Sequence, residues 1–463
     1  RWILFDRDLR TGAKAGRGSV GPVVSLGLPW LSAECSLRWV GSRCFFWPQG
    51  IPQQRRVSII SSRMKQRLDE ESWWFDLLRT AILRSDPTSD LLCAVAGTAA
   101  HRYVRRASLL FGRSVLEFQV DTQEQSADCD DIAAWIMNIA GRWVWDSAVT
   151  VTESDLVEEP RVVEDYASGA VWSVFVSPPL LISDKSNAAT EMTTQNTLSG
   201  RPVPDRILFA AGDCLQVLQV RTGGSIQALL TQHVQDNERR ESLVMLASDA
   251  AGQIPTIVPE ASGSVIPWLL KLSPDVRPRS EADCVSAGTE SGTQRSLPVS
   301  TPLSHPADWL LHWTRSTVGP WPDQSEQEFT DQLILGCCAA DRSVLATLLR
   351  IVTEGRLWAS LEAIRGGFRV VSFTEVPLHE FRRRRAYRRH RRRYDFEPWG
   401  IAVRRSLLES RGARPVEYGD DETWRTTTET ARPFFQNVGT GDGWIIDERE
   451  WRIVDHLLLN ELP

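Results

Sequence analysis

Lysine is nearly missing from this chain. Lys14, Lys65, Lys185 and Lys271 are the only lysines among 53 basic residues in a sequence of 463. Its basic chemistry is therefore arginine chemistry, a planar fork that matches phosphate and carboxylate bidentately. A GC-rich genome would give the same bias without functional meaning. No run approaches the ~18 consecutive apolar residues of a membrane span, so no membrane partner is expected. The eight cysteines contain no C-x-x-C pair, which argues against a zinc ribbon or a thioredoxin motif. Their scatter fits a reducing, cytoplasmic setting, with Cys337 and Cys338 expected as small core residues. There is no H-E-x-x-H and no clustered Cys/His spacing around His379 and Glu380, so no metal is expected. A G-x-S-x-G elbow, a P-loop and a true G-x-G-x-x-G are also missing. The net charge of −6 excludes a uniformly basic binder.

Methionine is missing before Met64, and residues 1–63 mix Gly, Pro, Arg and Trp without a period. They are expected to be a poorly ordered extension, lying upstream of the native start. The alternative is a packed N-terminal arm built on Trp2, Trp30, Trp39 and Trp47. Helical spacing begins at Trp73, Trp74, Leu77, Leu78 and Ile82.

What is present in residues 64–272 is an alternation of apolar runs and helical segments. Runs at 91–96, 115–120, 170–176, 215–220, 243–246 and 265–270 read as strands. Such alternation predicts a parallel sheet in an α/β layer fold, with ligands beyond the carboxyl ends of the strands. Two turns there have suitable chemistry. Gly97-Thr98 leads into a helix carrying His101, Arg102, Arg105 and Arg106, and Arg221-Thr222-Gly223-Gly224 opens another. Glycine lets backbone N–H groups approach a phosphate, although it serves equally as plain turn chemistry. In layout the region resembles Rossmann-like nucleotide-sensing domains of bacterial defence and DNA-uptake proteins, which implies a nucleotide ligand.

Residues 273–303, rich in Ser, Pro, Thr and Gly, read as a flexible linker, and residues 183–204 as a projecting loop. Residues 304–463 form a second domain, expected to be α+β. Within it Arg382, Arg383, Arg384, Arg385, Arg388, Arg389, Arg391, Arg392 and Arg393 place nine arginines in twelve residues, with Tyr387, His390 and Tyr394 between them. Arginine interleaved with aromatics suits phosphate contact and base stacking, and equally a solvated charged face. The segments VVSFTEVPL, FEPWGIAV, GARPVEY and EREWRIV occur in that order, with the arginine run between the first two. They resemble bacterial proteins of the AbiG-type abortive-infection group over residues 305–460, which implies a phage-defence role.

A weaker resemblance is to ADP-ribosyltransferases that modify nucleic acid. It rests on His312 and Thr314 in an early strand and on Glu448 or Glu450 in a late one. It implies NAD as cofactor, bound by His312 and Thr314, with a carboxylate at the transition state. Strand alternation would point Glu448 and Glu450 the same way, beside Arg315 or Arg365. The bland readings are an ion-pair ladder and a buried structural histidine. The sequence thus predicts a ligand-sensing module joined to an effector. The alternative is a non-catalytic, antitoxin-like protein whose arginine run holds nucleic acid or an acidic partner.

Overall fold

The apolar runs assemble into one ten-stranded sheet in the computed structural model, which describes residues 2–4, 22–64, 72–121, 129–148, 171–180, 198, 200–239, 242–247, 265–268, 308–361, 364–376, 380, 387–388, 393–394, 397, 399–438 and 448–459. Its strands are β1 (Trp2–Leu4), β2 (Val23–Leu26), β3 (Cys44–Trp47), β4 (Arg55–Ser61), β5 (Asp90–Val95), β6 (Val115–Val120), β7 (Val171–Val176), β8 (Cys214–Gln219), β9 (Leu243–Ala247) and β10 (Val265–Trp268). Their order is β1-β2-β3-β7-β6-β5-β4-β8-β9-β10. The seven strands from β7 to β10 run parallel, and β1 to β3 add an antiparallel edge. The fold is α/β.

All six residues of β5 are buried, which is why this strand reads as an unbroken apolar run rather than an alternation. Parallel strands need crossovers. The helices Ser72–Arg84 and His101–Leu110 pack together, while Ala33–Val40, Val203–Ala211 and Ser225–Gln235 form a second group over the same strands. Helices thus cover the sheet from both sides.

The expectation of a poorly ordered extension through residue 63 is corrected. β4, from that stretch, lies between β5 and β8 at the centre of the parallel sheet. Trp39 and Trp47 are fully buried, and Trp30 meets Trp47 edge-on at 5.6 Å. Trp39 stacks on Phe209 at 6.1 Å and donates through Nε1 to Asp236 at 2.8 Å. Of the four tryptophans in the packed-arm alternative, Trp30, Trp39 and Trp47 pack as that alternative requires. Burying two indoles supplies several kcal/mol, about 1.5–3 kcal/mol per large apolar side chain.

The chain divides into two compact units. One is Arg1–Arg277 with Thr330–Cys337, and the other Pro278–Phe329 with Cys338–Pro463. The expected linker, 273–303, lies outside the described residues, as does most of the loop expected over 183–204.

The second unit holds β11 (Trp309–Trp313), β12 (Arg356–Leu357), β13 (Val370–Thr374), β14 (Tyr387–Arg388), β15 (Arg393–Tyr394), β16 (Gly400–Arg404), β17 (Arg414–Pro415), β18 (Glu417–Gly419), β19 (Phe435–Asn437), β20 (Glu450–Val454) and β21 (Leu457–Leu458). Five of them form an antiparallel sheet in the order β16-β11-β13-β20-β17. One face carries Leu310, Val371, Phe373, Val403, Trp451 and Ile453, packed with Ile351 and Leu408 from two helices. The helix Val344–Glu354 ends at Gly355 in the left-handed region, φ +61°.

Candidate functional site

In the first unit the direction of strand growth reverses between β4 and β8. Loops leaving neighbouring parallel strands part at such a point and leave a crevice at the carboxyl edge. The turn after β4 is Ser61-Ser62-Arg63-Met64 and has no glycine, unlike a dinucleotide fingerprint. It is tied to β8: Ser62 N–H donates to Gln219 O at 2.9 Å, and Arg221 N–H to Ser62 Oγ at 2.9 Å.

The two glycine turns behave differently. After β8, Gly223 N–H donates to Gln227 Oε1 at 2.5 Å and Gly224 N–H to Arg221 O at 3.1 Å. Gln227 reaches back from the third helical position in the manner of a capping box. Both amides already have partners, so the expectation that Gly223 and Gly224 offer N–H groups to a phosphate is corrected to helix capping. Arg221 itself is exposed beside this turn.

After β5, Gly97 has φ +90° and faces the first turn of the helix Val203–Ala211. A Cβ there would stand 3.3 Å from Pro204 Cγ, so glycine is required on both counts. Among the described residues its N–H has no hydrogen-bond partner. Thr98 closes the turn, its N–H and hydroxyl both donating to Val95 O, at 3.1 and 2.8 Å.

Two perturbed groups in this unit were not singled out from the sequence. Asp205 lies in the first turn of the helix that faces Gly97. Burial pushes its carboxyl up to about 6, against the opposing pull of Arg63. Glu117, mid-strand in β6, is only 4% exposed. His101 Nε2 donates to Glu117 Oε1 at 2.7 Å, and Arg105 Nε stands 3.4 Å from Glu117 Oε2. Burial alone would raise this carboxyl, but the His101 bond and the Arg105 charge hold it below its ordinary value. His101 is thus anchored by a carboxylate rather than loose on a helix surface. Perturbed titratable groups mark candidate sites. Asp205 and Glu117 lie on opposite faces of the sheet, since the Asp205 helix packs on Leu116 and Phe118 while Glu117 points to His101.

Two concavities stand out. A shallow one of about 630 Å³, lined by residues 51–55, Ser89 and Trp172, lies at the amino ends of β4, β5 and β7. Its position is the edge opposite the strand-order reversal, where this fold class places no ligand. A groove of about 390 Å³ follows the helix Ser225–Gln235, lined by Arg201, Gly223, Gln227, Thr231 and Gln235.

The second unit separates residues expected to act together. Cross-strand partners share a face, so Leu311, Thr374 and Glu450 form one row. His312 belongs to the other face, with Ile401 opposite it and Phe373 edge-on at 5.8 Å. His312 Nδ1 donates to Ser372 O at 2.9 Å. Desolvation pushes its imidazole down, with a further push from the Arg315 charge. His312 is half-buried, with Nδ1 committed to a backbone carbonyl. Thr314 is buried, its N–H donating to Trp399 O at 2.9 Å.

Glu450 holds Arg452 bidentately at 2.9 and 3.0 Å, and Arg452 is 1% exposed. The same guanidinium donates to Pro433 O and Phe435 O. Glu448 sits in a turn, and Arg449 adopts φ +44° before the strand starts at Glu450. The expectation that Glu448 and Glu450 share one strand and point the same way is thereby corrected. Arg365 pairs with Asp421 and lies over Trp424, 4.8 Å from the ring centroid. No cleft joining His312, Arg365 and Glu450 is seen among the described residues.

Of the arginine run, Arg382–Arg385, Arg389, Arg391 and Arg392 lie outside the described residues. The backbone at Tyr387–Arg388 pairs antiparallel with Arg393–Tyr394 as a short ribbon. Among the described residues no cluster of metal-ligating side chains occurs, and no helix is long and apolar enough to cross a membrane. No protein-family model, curated protein or solved structure matches this chain.

Proposed function

We propose that the first unit is a Rossmann-like ligand-binding module that takes a small anionic, nucleotide-like ligand at the carboxyl edge beside Gly97. The observation that carries this reading is the pairing of the Gly97 turn with the perturbed Asp205 at the carboxyl end of β5, one strand from the strand-order reversal. Arg63 supplies positive charge, and the Gly97 N–H a donor for a phosphate oxygen. The second unit is then the effector half of a defence-type protein. ADP-ribosyl transfer from NAD through His312 and Glu450 is disfavoured, because these side chains occupy opposite faces of one sheet.

The test is a binding titration with ATP, GTP and NAD on the full chain, repeated with Gly97→Val and Arg63→Ser. Binding should be lost in the first and weakened at least about tenfold, ~1.4 kcal/mol, in the second. Thermal melts establish that both variants fold. A second reading rests on the arginine run in the sequence, of which Arg388 and Arg393 lie in a short ribbon: contact with nucleic acid through its phosphates. Its mark is a steep loss of affinity with salt.

A further inference from the structure

Cysteine is among the residue types most often buried, and the sequence around Cys337 and Cys338 reads as core. The structure corrects that expectation: both are exposed. The cause is local. The helix Glu326–Leu335 ends at Gly336 with φ +70°. Gly336 N–H then donates to Leu333 O at 3.2 Å, and Cys337 N–H to Gln332 O at 3.0 Å. The second bond is the long closure of a Schellman cap. Cys338 opens a 3₁₀ turn, and its carbonyl accepts from Asp341 N–H at 2.9 Å. Consecutive residues of one ordered turn therefore present two reduced thiols.

We propose that Cys337 and Cys338 form a redox-active vicinal dithiol, a modification site for low-molecular-weight disulfides. One thiolate Sγ attacks the small disulfide RS–SR, forms a mixed disulfide and expels RS⁻. The second thiol gives its proton to water, attacks the same protein Sγ and expels the other RS⁻. Two electrons pass from the cysteines to the reagent, which leaves as two thiols. Adjacency makes the second step intramolecular and fast.

The ring so formed is strained. A trans peptide fixes neighbouring Cα atoms about 3.8 Å apart, below the roughly 4.4–6.8 Å that relaxed disulfides prefer. Strained disulfides are readily reduced, which suits a reversible switch rather than a structural staple. Closure turns the peptide that joins the two residues and disturbs the 3₁₀ turn that Cys338 opens. Cys35, Cys93 and Cys214 compete poorly. They are buried, and burial pushes Cys35 up to about 11 and Cys93 up to about 12.

The experiment treats the reduced full chain with oxidised glutathione and reads intact and peptide masses. The parent should lose the mass of two hydrogens on the peptide holding Cys337 and Cys338, retaining no glutathione there. Cys337→Ser and Cys338→Ser should each keep one glutathione on the remaining cysteine. Hydrogen exchange at Asp341, whose N–H closes the 3₁₀ turn, should quicken on oxidation and recover with dithiothreitol. Glutathione retained on the parent pair overturns the proposal, as does a pair that stays unmodified.

Discussion

Arg452 is a guanidinium sealed inside the second unit, and Glu450 is its only carboxylate partner among the described residues. Breaking a buried pair strands a charge, at a cost of about 3–5 kcal/mol. Glu450→Gln should therefore lower stability by ~3 kcal/mol in urea unfolding, whatever it does to activity. His233 makes the opposite case. It is 1% exposed, and neither ring nitrogen has a hydrogen-bond partner among the described residues. It packs against both Trp39 and Phe209, with Arg239 nearby.

Burial pushes the His233 imidazole down to about 3, and Arg239 pushes the same way. The unfolded chain takes up a proton near pH 6.5 that the folded one refuses until about pH 3. Stability from this group is therefore full above pH 6.5 and is lost as pH falls towards 3, by up to ~1.4 kcal/mol per pH unit. His233→Leu should flatten that slope in melts between pH 7 and pH 4. It should also add about 1 kcal/mol at pH 7, since no hydrogen bond is forfeited. Asp205 has the reverse sign. Its carboxyl is raised in the fold, so stability is lost as pH rises through about 6. Asp205→Asn should raise the melting temperature at pH 8 and leave it unchanged at pH 4.

Elements with a strong local signal were legible in the sequence, and those defined by distant partners were not. β5 to β10 announce themselves as apolar runs between turn residues, because strands buried on both faces need no polar alternation. β4 carries the same signal in Val57, Ile59 and Ile60, but lies in a stretch that the position of the first methionine made look extraneous. A chain begun at Met64 lacks β2, β3 and β4, and with them the strand joining β5 to β8. It should fail to give soluble, cooperatively unfolding protein, and a sharp melt would contradict this placement.

The candidate site was half legible for a related reason. Gly97 and Thr98 were visible as turn chemistry. Asp205 and Glu117 acquire their character from burial and from partners far along the chain, which no spacing reveals. The error over His312 and Glu450 is one of parity. Which face a strand residue takes depends on where the strand begins, and the left-handed Arg449 resets the count just before Glu450.

At the scale of the whole molecule, the proposed ligand site lies on the parallel sheet and the proposed polyanion contact on the arginine run. These assignments are separable by salt. Replacing Arg382 to Arg385 with Ser should reduce the salt slope of nucleic-acid binding, each lost phosphate contact removing roughly 0.7–0.9 from it, and should leave nucleotide binding alone. An unchanged slope returns the run to a solvated face.

The central claim is that a nucleotide-like anion binds at the carboxyl edge beside Gly97. Isothermal titration of the full chain with ATP, GTP and NAD tests it most directly, with Gly97→Val compared against Gln53→Ala in the concavity at the opposite edge. The account predicts one binding site for at least one of these ligands, lost in folded Gly97→Val and unchanged in Gln53→Ala. Absence of binding by the parent, or binding that survives Gly97→Val and fails in Gln53→Ala, would contradict it.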